Sequence, residues 1–135
     1  MDSFNLDDQL MEGAKNLSVG QKQRLILARC LLRKSNVYIF DEIVSGVDQE
    51  TIDDILEILY SLKKENIVIL ITHQLYLLNS FDKIYFLENG LLKESGNITS
   101  LSKTNNSFSY LYNKQIEIIN DIDKKVKEKA NEINV

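Results

Sequence analysis

The chain has 135 residues, the length of one domain, and a domain of this size buries roughly two thirds of the surface its unfolded form exposes. With 44% apolar and 27% charged residues it sits near the averages of soluble globular proteins, which excludes disorder as the default. The net charge of −4 arises from mixed signs without a basic stripe, so direct nucleic-acid binding is disfavoured.

No apolar run approaches the roughly 20 residues that cross a bilayer, and the acidic start, Met1 to Leu10, is unlike a basic-then-apolar signal, so the chain reads as cytosolic. Residues 1 to 15 scatter Phe4, Leu6, Leu10 and Met11 among acidic positions, enough for one turn of helix and reading as a tail cut from something larger. Ser18 then precedes Val19-Gly20-Gln21, and Leu25, Ile26, Ala28, Arg29, Leu32 and Arg33 follow a 3.6-residue rhythm. A helix of about four turns is expected from Ser18. Cys30, the one cysteine, falls inside that pattern and reads as packing.

Val37 to Phe40 is a short apolar run expected as a strand buried on both faces if it is parallel and central. It stops at Asp41-Glu42. After a turn at Ser45-Gly46, the residues Ile52, Ile55, Leu56, Leu59 and Leu62 make a second amphipathic helix, and Ile67 to Ile71 a second apolar strand. Strand, helix and strand form a βαβ unit with a right-handed crossover, which puts Asp41-Glu42 and Thr72-His73 at the carboxyl ends of parallel strands. A short helix through Leu75, Leu77 and Leu78 precedes Lys83 to Glu88, Asn89-Gly90 and Leu91 to Glu94, a hairpin expected to end the sheet as an antiparallel ribbon. From Phe108 on, Leu111, Ile118, Ile122, Val126, Ala130 and Ile133 recur at helical spacing, with Asp121–Lys125 and Asp123–Lys127 placed for weak pairing.

Adjacent strand residues face opposite ways, so Asp41 and Glu42 serve one site only where the strand ends and the backbone turns. There, one carboxylate could hold Mg²⁺ through its waters while the other orients or deprotonates an attacking water, the division of labour that phosphoryl transfer needs. On the dipeptide alone, an ordinary acidic strand exit is the simpler account. His73, the single histidine, sits where an imidazole could hydrogen-bond a transferring phosphate, or where it is merely structural. Ser18 and Gly20 at a helix start offer a hydroxyl and free N–H groups to an anion, or a plain N-cap.

Taken together, these segments resemble the carboxyl-terminal part of the nucleotide-binding domain of ATP-binding-cassette (ABC) ATPases, in an exporter-like form. Leu17-Ser18-Val19-Gly20-Gln21 looks like the family's signature sequence, with Gln23-Arg24-Leu25 and Ala28-Arg29 in the helix that follows it. Val37 to Glu42 looks like the Walker B strand, Ser45-Gly46-Val47-Asp48 like the D-loop and Ile71-Thr72-His73 like the switch histidine. Asp82-Lys83-Ile84, Glu88-Asn89-Gly90 and Glu94-Ser95-Gly96 follow the exporter pattern after the switch. The resemblance covers about residues 10 to 112. It implies an α/β fold, part of a P-loop NTPase-type domain, with parallel strands, flanking helices and a terminal antiparallel hairpin. It divides the chain into a partial ATPase domain over 1–112 and a helical extension over 113–135.

The same resemblance implies ATP and Mg²⁺ as cofactors, with Asp41 at the metal, Glu42 as general base and His73 at the γ-phosphate. Ser18, Gly20 and Gln21 would meet ATP held by an opposite subunit, and Asp48 would link the two sites. Val19 stands where the family usually has glycine. The implied partners are a second nucleotide-binding domain or an amino-terminal half, and a transmembrane transporter domain, with the chain cytoplasmic and peripheral to the membrane.

The phosphate-cradling motif needs two glycines five positions apart followed by lysine, and no pair among the five glycines meets it. The expectation is therefore a chain that neither binds nor hydrolyses ATP alone, acts as an ABC-type ATPase when the phosphate loop is supplied, and has an exposed, sticky sheet edge. A regulatory module that docks on a complete cassette without catalysis is the competing reading. A DNA-repair ATPase lobe fits less well, because such proteins insert long coiled coils.

Overall fold

The computed structural model describes Asp7 and residues 9–133, with side chains described as far as residue 130. Phe4 and Leu6 lie outside the described residues, as does the side chain of Ile133. Two compact units divide after His73.

The first unit begins with a 3-10 turn, Glu12–Ala14, and then helix α1, Val19–Leu31. A capping box starts α1: the Ser18 N–H donates to Gln21 Oε1 (2.8 Å) and the Gln21 N–H donates to Ser18 Oγ (3.1 Å), so two helix-start donors are satisfied reciprocally. The face that α1 buries differs from expectation. Leu25, Ile26 and Leu32 are exposed, while Gly20 and Leu27 are buried. Cys30 is half-buried.

Strand β1, Val37–Asp41, pairs in parallel with β2, Ile67–Ile71, in the register Val37 to Ile67 through Asp41 to Ile71. Between them runs α2, Gln49–Leu62, whose Ile52, Ile55 and Leu59 are buried as their spacing demands. The expected burial on both strand faces is not found. Tyr38 and Phe40 are buried, but Val37 and Ile39 are exposed, as are Ile67, Ile69 and Ile71 of β2. A two-stranded sheet alternates strictly, and the packed side takes every second residue.

The second unit starts with a 3-10 segment, Leu75–Ser80, in place of the expected short helix. Strands β3, Ile84–Glu88, and β4, Leu91–Gly96, are antiparallel and form a sheet of their own, so the described strands make two two-stranded sheets where one continuous sheet was expected. Asn89 and Gly90 both have left-handed φ values, +50° and +74°, as the type I′ turn of a two-residue hairpin demands. A one-turn helix, α3, Ile98–Leu101, leads to the long helix α4, Ser107–Ile133. Ile84, Leu101 and fully buried Phe108 form the core of this unit, with Leu78, Phe86, Ile98 and Tyr112 against it. Phe108 meets Phe86 edge-on and Tyr112 face-on, each at 5.8 Å between ring centres. The Gln115 side chain accepts from the backbone N–H groups of Leu75 and Tyr76, and Tyr112 donates its hydroxyl proton to Asn79, which fixes the first half of α4. Residue 113, the expected start of the extension, falls inside this unbroken helix.

Candidate functional site

Asp41 is the last residue of β1, and Glu42, directly after it, has φ +50°. That left-handed turn breaks the strand alternation at the position where two neighbouring carboxylates need it broken to share one site. The cost is real for a residue with a Cβ, about 1–2 kcal/mol. The Glu42 N–H still donates to Ile71 O (2.9 Å), and the Ser45 N–H donates back to Glu42 O (2.9 Å), so the turn is held from both sides. Across the ladder β2 ends at Ile71, and two residues on His73 Nδ1 lies 3.0 Å from Glu42 Oε1. An ionised carboxylate can only accept, so with Glu42 charged the imidazole Nδ1 is the donor. Both side chains are more than half exposed, so their attraction is screened and modest, and their groups are open to a ligand.

A second cluster forms where α1 and α2 begin. Asp48 is the N-cap of α2: the Thr51 N–H donates to its Oδ1 (2.9 Å) and the Thr51 hydroxyl to its Oδ2 (3.0 Å). Those two bonds, the backbone one foremost, hold the Asp48 carboxyl below the usual value, with the Arg24 guanidinium adding a smaller pull and desolvation opposing. Arg24 Nη2 in turn donates to Thr51 Oγ1 (2.8 Å) and lies 3.4 Å from Asp54. A Cβ on Gly20 would stand 3.0 Å from Thr51 Oγ1 and 3.7 Å from Asp48 Oδ2, so the two helix starts approach as closely as only glycine permits. Nearby, a Cβ on Gly46 would lie 4.0 Å from Val19 Cγ1. Val19 is the first residue of α1, with a half-exposed side chain.

The structure thus gathers the seven expected residues into two groups: Asp41, Glu42 and His73 at the strand ends, and Ser18, Gly20, Gln21 and Asp48 at the helix starts. Sequence reasoning missed Thr51 and the bridging role of Arg24. Thr51 is 1% exposed, and its position three residues after a capping aspartate was the available sign. A groove of about 340 Å³ between α1 and α2, lined by Arg24, Leu27, Leu31, Asp54, Ile55 and Ile58 among others, does not include the strand-end carboxylates. Among the described residues no three His, Cys, Asp or Glu side chains are grouped to hold a metal by themselves. Two neighbouring exposed carboxylates suit Mg²⁺, which takes one or two carboxylates and completes its shell with water and phosphate oxygens.

Parallel strands joined through a helix, with polar side chains at their carboxyl ends, place this unit in the class of α/β folds, which bind ligands outside the carboxyl ends of their strands. Comparisons with known proteins make the assignment narrower. Residues 1–45 match the family model described as ABC transporter. The chain is 40% identical over 111 residues, 82% of its length, to the ATP-dependent lipid A-core flippase of Pasteurella multocida, of which it covers 19%. It is 41% identical over 110 residues to the lactococcin-G-processing and transport ATP-binding protein of Lactococcus lactis, covering 82% of this chain and 16% of that one. A solved structure of a bacterial Atm1-family ABC exporter with ATP bound superposes with a TM-score of 0.75 at 29% identity, over 81% of this chain and 19% of the exporter. The chain belongs to the ABC transporter family, as the carboxyl-terminal part of an exporter-type ATP-binding domain. It spans about a fifth of the length of the relatives it matches.

Proposed function

We propose that this chain contributes the hydrolytic and signature half-sites of an ABC-type ATPase that powers export through a transmembrane partner. The observation that carries the reading is the Glu42–His73 contact at 3.0 Å, beside Asp41 and at the ends of adjacent parallel strands. Glu42 is the general base: its carboxylate takes the proton of the water that attacks the γ-phosphorus of ATP. His73, positioned by Glu42, presents its imidazole to the γ-phosphate as charge develops on the equatorial oxygens. Asp41 holds Mg²⁺, which when bound neutralises phosphate charge. Ser18, Gly20 and Gln21 address ATP on an opposing subunit, and Asp48, tied to α1 through Thr51 and Arg24, passes the state of one site to the other.

These residues supply carboxylates, a hydroxyl and an imidazole but no lysine-bearing phosphate loop, and carboxylates alone repel a polyphosphate. ATP affinity on this reading comes from a partner, either an amino-terminal half or a complete nucleotide-binding domain. Calorimetric titration of the pure chain with Mg-ATP is expected to show no micromolar binding. Addition of an amino-terminal half that carries the phosphate loop is expected to raise ATP turnover, and Glu42→Gln in this chain is expected to remove that gain. A gain that survives Glu42→Gln would favour docking without chemistry.

A further inference from the structure

The stretch of chain that carries His73 is short, and it is fixed at both ends. On one side β2 closes at Ile71, whose carbonyl accepts from the Glu42 N–H (2.9 Å) and whose ladder partner is Asp41. On the other side the 3-10 segment Leu75–Ser80 begins. Thr72, His73 and Gln74 lie between, so His73 stands two residues from each fixed point. A chain reaches at most roughly 3.3–3.6 Å per residue, and the slack available to His73 is therefore set by how firmly Leu75 is held.

The hold on Leu75 is not local. A 3-10 segment leaves its first N–H groups without an intrahelical acceptor. Here the first internal bond runs from the Leu77 N–H to Gln74 O (3.2 Å), which leaves the N–H groups of Leu75 and Tyr76 to be met from elsewhere. Gln74, at the capping position, makes no side-chain cap bond. Gln115 Oε1, on α4 and 40 residues beyond Leu75, accepts from both, at 2.5 Å and 3.3 Å. One side chain thus caps a segment distant in sequence. Its own place is secured one turn earlier in α4, where Tyr112 packs against the core of the unit and donates to Asn79 Oδ1 (3.2 Å) near the far end of the same segment.

We propose that Gln115 is a positioning residue for His73. By capping the 3-10 segment it keeps the chain after β2 short, and so holds the imidazole within reach of Glu42. What His73 then does rests on the ATPase reading. Without the Gln115 acceptor the next firm point is Leu77, the buried residue of the segment. The Glu42–His73 contact, exposed and modest, then competes with a wider set of loop conformations. The expected result is loss of that contact with the fold retained.

His73 is the only histidine, so the imidazole nitrogen resonances of the full chain, grown with isotopically labelled histidine, report a single ring. At a pH where the ring is neutral, the wild-type chain is expected to show the Nδ1-protonated form that Glu42 selects, and Glu42→Ala marks where the resonances go when the contact is absent. Gln115→Met keeps the length of the side chain and loses the acceptor; it is expected to move the resonances more than half of the way to the Glu42→Ala position. Gln115→Glu retains an acceptor oxygen and is expected to stay at the wild-type position. Tyr112→Phe removes the bond to Asn79 alone and is expected to leave the ring where it is. Near-ultraviolet ellipticity is expected to be unchanged in each; if Gln115→Met loses it, Gln115→Asn, one methylene too short to reach, takes its place. With the amino-terminal half that carries the phosphate loop added, Gln115→Met is expected to lower kcat about tenfold with the KM for ATP unchanged, because the grip on phosphate lies in that half. Wild-type resonances in Gln115→Met, an equal shift in Tyr112→Phe, or a wild-type chain indistinguishable from Glu42→Ala would each overturn the proposal. A wild-type mixture without turnover would sink the ATPase reading instead, and the ring resonances would still decide what holds His73.

Discussion

Glu42 holds a left-handed backbone that its own side chain disfavours, and the energetics of that single residue bear on its role. Strain of this kind persists where the surroundings over-determine it, here the hydrogen bonds from Glu42 N–H to Ile71 and from Ser45 N–H to Glu42 O. Replacing Glu42 by glycine removes about 1–2 kcal/mol of strain. It gives back part of that through a freer unfolded chain, about 0.4–1 kcal/mol, and through loss of an exposed contact to His73. The expected net result in urea unfolding is a gain of about 0.5 kcal/mol, accompanied by loss of ATP turnover in the reconstituted enzyme. A destabilised Glu42→Gly chain would show that the turn is held for folding and not for chemistry. Asp48 offers a pH-dependent counterpart. Its folded carboxyl is held below the ordinary value of 3.8 by the Thr51 N–H and hydroxyl, so its stabilising effect is complete above that value and is lost as the pH falls through the folded one. Asp48→Asn, which can still cap α2, is therefore expected to lower the Tm at neutral pH, with the gap closing on acidification. A gap that stays constant with pH would assign the effect to cap geometry instead of charge.

At the scale of elements, α4 owes its place to its first turn. Phe108 is fully buried between Phe86 and Tyr112, and Glu94 of β4 receives the Phe108 N–H at 3.4 Å, placing a carboxylate at the positive end of the helix. Phe108→Ala empties that position and is expected to cost about 3–5 kcal/mol, read as lost near-ultraviolet ellipticity of the surrounding aromatic rings and an earlier urea midpoint. Elements with a strong local signal were the ones legible in the sequence. The Asn89-Gly90 turn, the α2 stripe Ile52-Ile55-Leu59 and the strand Ile67 to Ile71 all stand where periodicity and turn chemistry put them. The burial of α1 was not legible, because Leu25, Ile26 and Leu27 are consecutive apolar residues and only tertiary packing decides that Leu27 goes inward. The strand-end residues Asp41, Glu42 and His73 could be named from their positions, and the structure brings Glu42 and His73 into contact. Thr51 was marked only by its place three residues after Asp48, which signals a cap and not a link between helices. It acts through a hydrogen bond to Arg24, 27 positions away, which no local pattern encodes.

For the whole molecule the decisive fact is the unequal coverage of the parallel sheet. Val37 pairs with Ile67 and Ile39 with Ile69, and Ile71 closes the second strand, so five β-branched side chains lie on one face, each between 43% and 62% exposed. Apolar residues scattered singly over a surface need no explanation, but a contiguous set on paired strands does. A sheet with both faces buried reads as a continuous apolar run, and VYIF and IVILI read that way even though only alternate residues are covered here. The composition of the strands therefore matches a two-sided environment, while their packing in this chain is one-sided. Such a face adsorbs apolar dyes and drives association that salt strengthens. Ile39→Thr with Ile69→Thr keeps β-branched residues at facing positions of the ladder while reducing its apolar area. The double variant is expected to bind less anilinonaphthalene sulfonate and to stay dispersed at high sulfate, with its far-ultraviolet circular dichroism unchanged. Undiminished dye binding would place the adhesive surface elsewhere, with the groove between α1 and α2 as the next surface to alter through Leu31→Gln. If the face is instead the seat of a partner, the same double variant retains its fold and loses the ATP turnover gained on adding the amino-terminal half.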